Sequence, residues 1–159
     1  MVSPSSTKQA ADSELERAMN AILADMVALY RKTKSFYWHM RGPHIHEYHV
    51  MLDEHTQQLY AMTDEIIERI HGMGGKTLRS IGLIIGMRRR VVDEDAGAYI
   101  EPSDMLSELR EDNELLGSRL RDALEVCDKR RDLEMASWIE KWINKTECRN
   151  HRLCSVCCA

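Results

Sequence analysis

Apolar residues recur at steps of three and four in four separate stretches of the chain. In the first, Leu15, Met19, Ile22, Met26 and Leu29 form one stripe that continues to about Tyr37 or Met40. That spacing returns to the same side of a helix of 3.6 residues per turn. Ser13-Glu14-Leu15-Glu16 has the form of a capping box and is read as its start. Arg41-Gly42-Pro43 is read as its end, because proline cannot continue a helix and glycine accepts the backbone turn that follows one. A second stretch, from about His46 to Gly72, carries Tyr48, Leu52, His55, Leu59, Met62, Ile66 and Ile70, and Gly72-Met73-Gly74-Gly75 stops it. Pro102-Ser103-Asp104 opens a third, with Leu106, Leu109, Leu116, Leu120 and Leu124. After a charged turn at Asp128 to Arg131, a fourth shows Met135, Trp138, Ile139 and Trp142. Between the second and third stretches, Thr77 to about Met87 reads as a short buried helix and Val91 to Glu101 as loop.

Four helices with a short first turn and a long second connection predict an all-α bundle with one crossover, the connectivity of ferritin-like bundles. The 159 residues suit one domain, and 43% apolar residues suffice for a core, which excludes wholesale disorder. Residues 1–11 lack periodicity and are expected to form a flexible tail, 12–145 the bundle and 146–159 a cysteine-rich tail. No apolar run is long enough to span a bilayer and the N-terminus has no apolar leader core, so a cytoplasmic protein without membrane contact is expected. A body with Cys127 alone, and no disulfide framework, suits a reducing compartment. The net charge of −4 excludes a chain that binds nucleic acid through its overall charge.

Candidate chemistry lies on the second helix. His49 and Asp53 are four residues apart, as are Asp64 and Glu68, so each pair shares a helix side. The fifteen residues from His49 to Asp64 fall only about 60° from a whole number of turns, which puts all four on one broad face. Three carboxylates and an imidazole form an oxygen and nitrogen donor set suited to iron, manganese or zinc. The same charges also fit a solvated face, since Glu65 and Arg69 lie among them. As a metal site the face imposes a constraint, because the two pairs are about 22 Å apart along the axis. One chain cannot close both around one centre. Two antiparallel copies related by a two-fold axis near Gln58 and Leu59 can, giving two equivalent sites per dimer.

The stretch Phe36-Tyr37-Trp38-His39-Met40-Arg41-Gly42-Pro43-His44, followed by His49, Asp53-Glu54, Asp64-Glu65 and Glu68-Arg69, resembles the Dps family, the DNA-binding proteins from starved cells. Leu106 to Asn113 is similar to the third helix of that family, and the likeness covers about Leu15 to Trp142. The resemblance implies a ferritin-like four-helix bundle with a short helix in its crossover, assembled from two-fold dimers into a hollow dodecamer. It implies oxidation of iron(II) to iron(III), preferably by hydrogen peroxide, with storage of the product and protection against oxidative stress. His49 and Asp53 of one chain, with Asp64 and Glu68 of its two-fold mate, would be the catalytic metal ligands. The family's first ligand is a histidine before the tryptophan, and here that place holds Tyr37. A phenol, with a reference pKa of about 10, must lose its proton before it binds well. Tyr37 is therefore either a poorer ligand or an aromatic that fills the dimer seam. His39, two residues on, points to a different side. Trp38 would sit beside the site, packed in the core, with radical quenching as an added role.

Two rivals stand against this expectation. One is a nucleoid-associated structural shell whose metal site is degraded by Tyr37, and the other a helical interaction protein without chemistry. DNA binding is expected to be weak, because the first eleven residues hold only Lys8 where DNA-binding relatives carry a lysine-rich tail. Arg88-Arg89-Arg90 and Lys129-Arg130-Arg131 read as solvated runs or phosphate contacts. Asp128 and Asp132 are candidates for lining a cation pore. Glu68-Arg69-Ile70-His71 has the Glu-x-x-His form of di-iron bundles, but no second such motif accompanies it. His44, His46 and His55 are secondary iron candidates or plain surface and packed histidines. Cys148, His151, Cys154, Cys157 and Cys158 suggest either zinc ligands or, preferably, a disordered and oxidisable tail.

Overall fold

The computed structural model describes the backbone of residues 4–77 and 99–157, and the side chains of 12–77 and 99–157. It contains α1 (Pro4–His39), α2 (Ile45–Gly72), α3 (Pro102–Arg130) and α4 (Leu133–Cys157), with no strand among the described residues. The apolar stripes are the reason for the packing. Leu15, Met19, Ile22, Met26 and Leu29 of α1 are buried, as are Leu52, Leu59, Met62, Ile66 and Ile70 of α2. Leu106, Leu109, Leu116 and Leu120 of α3 meet Met135, Ile139 and Trp142 of α4 in the same core. Removing such side chains from water is the main term that holds helices together.

Side-chain pairs set the helix directions. Lys34 reaches Asp53 and Tyr37 stacks on His49, so α1 and α2 are antiparallel. Arg130 pairs with Asp12, Arg119 with Asp25, and Lys32 with Glu108 and Asp112, which makes α1 and α3 antiparallel. Arg152 pairs with Glu54 and Lys141 with Glu65, which does the same for α4 and α2. It follows that α2 and α3 run in one direction, so the end of α2 and the start of α3 lie at opposite ends of the bundle. The described residues beside them agree. The Lys76 N–H donates to Glu16, whereas the Tyr99 hydroxyl donates to the carbonyl of Arg41. Those anchor points are about 35 Å apart along α1 at the helical rise. The short helix expected from Thr77 to Met87 and the Arg88 to Arg90 run lie outside the described residues, except for Thr77 itself.

The breaks follow local chemistry. Gly42 turns the chain at φ 139° just after α1, a conformation that side chains with a Cβ rarely adopt. Arg131 adopts the left-handed conformation at φ 56° and ends α3. The Asp132 carboxylate then accepts the Met135 N–H at 3.1 Å and caps α4. That bond gives Asp132 a local role at the start of α4, and Asp128 is exposed.

Two expected tails are corrected. The helix begins at Pro4, not at the Ser13 capping box, so residues 4–11 belong to α1. The Ser13 carbonyl accepts from Arg17 one turn on, an intrahelical position. Residues 146–157 are the last turns of α4, not a disordered tail. The reason is burial, because Thr146, Arg149 and Leu153 continue the inward face that Met135, Ile139 and Trp142 begin. Arg149 is 1% exposed and has only neutral partners among the bonds resolved. Its guanidinium donates to Asn113 at 3.0 Å, Thr146 at 3.0 Å, Gln58 at 3.4 Å and the Met62 sulfur at 3.3 Å. Burial pulls its pKa down to about 10, which leaves it charged near neutrality. A cation of this kind at the centre of the bundle opposes any metal ion there.

Candidate metal centre

Asp53, Asp64 and Glu68 lie on the outward side of α2, and His49 is half-buried at its edge. At 100° per residue, the mean direction of the four is about 137° from that of Leu52, Leu59, Met62, Ile66 and Ile70. The face that carries the donors therefore points away from the chain's own core. α2 is unbroken from Ile45 to Gly72, so the rise of about 22 Å between the pairs holds. Among the described residues no group of three or more His, Cys, Asp and Glu side chains is close enough to hold a metal ion.

The His49 end is the more organised. The Tyr37 ring stacks on the His49 imidazole with centroids 4.4 Å apart and planes at 30°. His49 Nε2 is buried and has no hydrogen-bond partner, which an imidazole normally finds. Asp53 is half-exposed, with one oxygen accepting from Gln57 at 2.9 Å and the other 3.5 Å from Lys34 Nζ. The same ammonium lies 4.8 Å from the centre of the Tyr37 ring. A positive charge thus sits between the phenol ring and the carboxylate. Lys34 is absent from the sequence reading, although its place one turn before Tyr37 puts both on one side of α1.

The other end is open. Asp64 and Glu68 are exposed, whereas Glu65 turns inward. Glu65 accepts the Trp142 indole N–H at 2.7 Å and pairs with Lys141 at 3.0 Å. Burial alone would raise its pKa, but these bonds and the charges of Lys141 and Lys145 lower it. His71 lies beside Thr77 at 3.3 Å, away from any second Glu-x-x-His motif. Arg69 sits over the Trp138 ring at 5.1 Å and pairs with Glu134 at 2.9 Å.

Several expectations are revised by burial. Trp38 is 67% exposed and is not part of this chain's core. His55 is 2% exposed, packed among α2 core residues, and cannot serve as a secondary iron site on the surface. Burial, followed by the charges of Arg149 and Arg152, lowers its pKa to about 3. His44 and His46 are exposed. Leu59 is fully buried and so faces this chain's own core, and the half-buried Gln58 bonds to Arg149. Tyr60 is the outward-facing side chain at this level, because it is 60% exposed and falls midway between the two donor pairs on the outward face.

No helix among the described residues is long and apolar enough to cross a membrane. No curated protein matches the chain by sequence. Its fold is shared with solved structures. The Dps of Thermosynechococcus elongatus aligns at TM-score 0.86 and 17% identity, covering 94% of each chain. DpsC from Streptomyces coelicolor aligns at 0.84 and 23%, covering 91% of this chain and 84% of that one. The Dps of Vibrio cholerae O1, described as a member of a broad superfamily of ferritin-like diiron-carboxylate proteins, aligns at 0.83 and 21%, covering 92% and 90%. Residues 16–155 match the family model of the ferritin-like domain, and the chain belongs to that ferritin family.

Proposed function

We propose that the protein is a Dps-like iron-storage shell that oxidises iron(II), with hydrogen peroxide as preferred oxidant, at sites shared between two chains. The observation that carries this reading is the orphaned, buried His49 Nε2 one turn before Asp53, at the edge of the same side of α2 on which Asp64 and Glu68 are exposed. An imidazole nitrogen without a partner is poised to receive one, and a divalent metal suits an imidazole and carboxylate pair. His49 and Asp53 would bind iron(II) as substrate. Asp64 and Glu68 of a two-fold mate would complete the donor set, since within one chain they are too far along α2. Carboxylates neutralise the added charge as iron(II) becomes iron(III), a harder ion that favours oxygen donors. Two electrons reduce hydrogen peroxide to water, which limits radical damage. Assembly of two-fold dimers into a dodecamer would enclose the product.

Lys34 and Tyr37 are the features that retune the site. Lys34 must leave Asp53 before a cation can take its place, and Tyr37 offers a protonated phenol where imidazole would offer a lone pair. A nucleoid-associated shell with little oxidation, acting through DNA, finds support in that occupied carboxylate. The acidic net charge opposes it.

Mixed assemblies test the sharing of ligands. Asp53→Ala and Glu68→Ala each remove an acid from every site and should each lower iron(II) oxidation. In a mixed dimer, one site keeps both acids and the other loses both, so mixing should restore part of the rate. Correctly assembled mixed shells with no recovery would sink the shared site.

A further inference from the structure

The end of α4 carries cysteines that the iron chemistry leaves unused. Among the described thiols, Cys127 is buried, and burial, with the negative charge of Asp132 next, pushes it up to about 11. It is therefore a poor nucleophile. Cys148 and Cys157 are exposed and Cys154 is half-buried. Because α4 is helical through Cys157, helix geometry decides which thiols can meet. Cys148 lies about 9 Å from Cys154 and about 13 Å from Cys157 along the axis. Both separations exceed the Cα limit of about 7 Å for a disulfide. Cys154 and Cys157, three residues apart, have Cα atoms about 5 Å apart. That is inside the disulfide window of roughly 4.4–6.8 Å.

The remaining requirement is at Cβ. Neighbours at this spacing have Cβ atoms about 5–6 Å apart. A disulfide needs about 3.8 Å, so the turn must tighten. Cys157 is the last residue of α4, and the final carbonyls of a helix have no intrahelical partner to lose. A zinc site would need more donors than a pair, and no group of three or more stands together among the described residues.

We propose that Cys154-Ser155-Val156-Cys157 is a dithiol that hydroperoxides oxidise to an intrahelical disulfide. Cys157, the more exposed, attacks a peroxide oxygen as thiolate. The O–O bond breaks, and the departing hydroxide takes up the proton that the thiol released, forming water. Cys157 is left as the sulfenic acid. Cys154 then loses its proton and attacks the sulfenyl sulfur. The S–S bond forms, the S–O bond breaks, and the second hydroxide leaves as water with that proton. Two thiols and one hydrogen peroxide become one disulfide and two waters, the sulfurs giving up two electrons and the peroxide accepting them. A small thiol reductant reverses the oxidation. This activity is independent of iron.

The test uses the full chain, stripped of metal with a chelator, in a Cys158→Ser background, since Cys158 lies next to the pair. Reduced protein is treated with hydrogen peroxide, remaining thiols are alkylated, and the tryptic peptide that follows Arg152 is weighed. The expected peptide has lost two hydrogens and carries no alkyl group, and dithiothreitol restores two alkylations. Cys154→Ser and Cys157→Ser should each abolish that species, and Cys154→Ser should leave at Cys157 a sulfenic acid that dimedone traps. Circular dichroism before and after oxidation verifies that the helices persist. The proposal is overturned if the Cys158→Ser peptide remains doubly alkylated at a peroxide dose that oxidises the unsubstituted chain. It is equally overturned if oxidation appears only as a chain-to-chain link that Cys148→Ser removes.

Discussion

A single side chain, Lys34, stands between the proposed iron site and its substrate. Its ammonium is 3.5 Å from Asp53 and 4.8 Å from the Tyr37 ring centre, so an incoming cation competes with it directly. The pair is partly exposed, which limits its worth to about 1 kcal/mol or less. Lys34→Gln is therefore expected to tighten binding of iron(II), measured without oxygen, by about two- to fivefold. Tyr37→His should act in the same direction, because neutral imidazole needs no proton loss to donate a lone pair. Anaerobic titration of both variants decides the matter. If neither binds more tightly, Lys34 and Tyr37 do not restrain the site. At another residue, His55, the question is stability. Its folded pKa of about 3 lies below the ordinary value of 6.5, so the unfolded chain binds more protons between those limits. Stability is fully present above pH 6.5 and falls as the pH drops toward 3, with an upper bound of about 5 kcal/mol. His55→Leu should flatten that part of the profile in denaturant melts at a series of pH values. An unchanged acid slope would count against a neutral His55 in the fold.

At the scale of elements, α4 shows how far an inward face extends. Arg149 and Leu153 are buried in the core, and the half-buried Val156 packs against it. Deleting the chain from Cys148 onward removes all three. Burial of a leucine is worth about 2 kcal/mol, and the loss of Arg149 also strips hydrogen bonds from Asn113 and Thr146. The melting temperature should fall by about 5 °C or more, at the usual 2–4 °C per kcal/mol for a chain of this size. Removing a solvated tail would change stability by no more than about 0.5 kcal/mol. A melting temperature that stays constant would show that the last turns do not support the bundle.

For the whole molecule, the decisive question is what covers the outward face of α2. Tyr60 lies midway between the two donor pairs and is exposed, with its ring 6.0 Å from that of Tyr30. Under the proposed two-fold arrangement it sits at the seam. Tyr60→Asp should release monomers while leaving the helical fold intact, because an exposed position tolerates substitution within about 0.5 kcal/mol. Light scattering reads the first effect and circular dichroism the second. A folded variant of unchanged assembly size would place the seam elsewhere.

Periodicity made the four helices legible, because an apolar stripe at steps of three and four has few other solutions in water. The likeness of Tyr37 to Arg69 to the Dps signature pointed to the four donors, and the helical rise already separated them into two pairs. What the sequence could not convey was direction around each helix for polar residues. Gln58 turns toward Arg149 while Tyr60 looks out, and only packing against α4 reveals it. The C-terminal turns read as a tail because Arg149 is charged and four cysteines crowd into the last dozen residues. Tertiary structure made them core, since Asn113, Thr146, Gln58 and Met62 lie where the buried guanidinium needs acceptors. Likewise the salt bridge from Lys34 to Asp53 joins residues nineteen positions apart in the sequence, and it exists only because the Gly42 turn folds α2 back along α1.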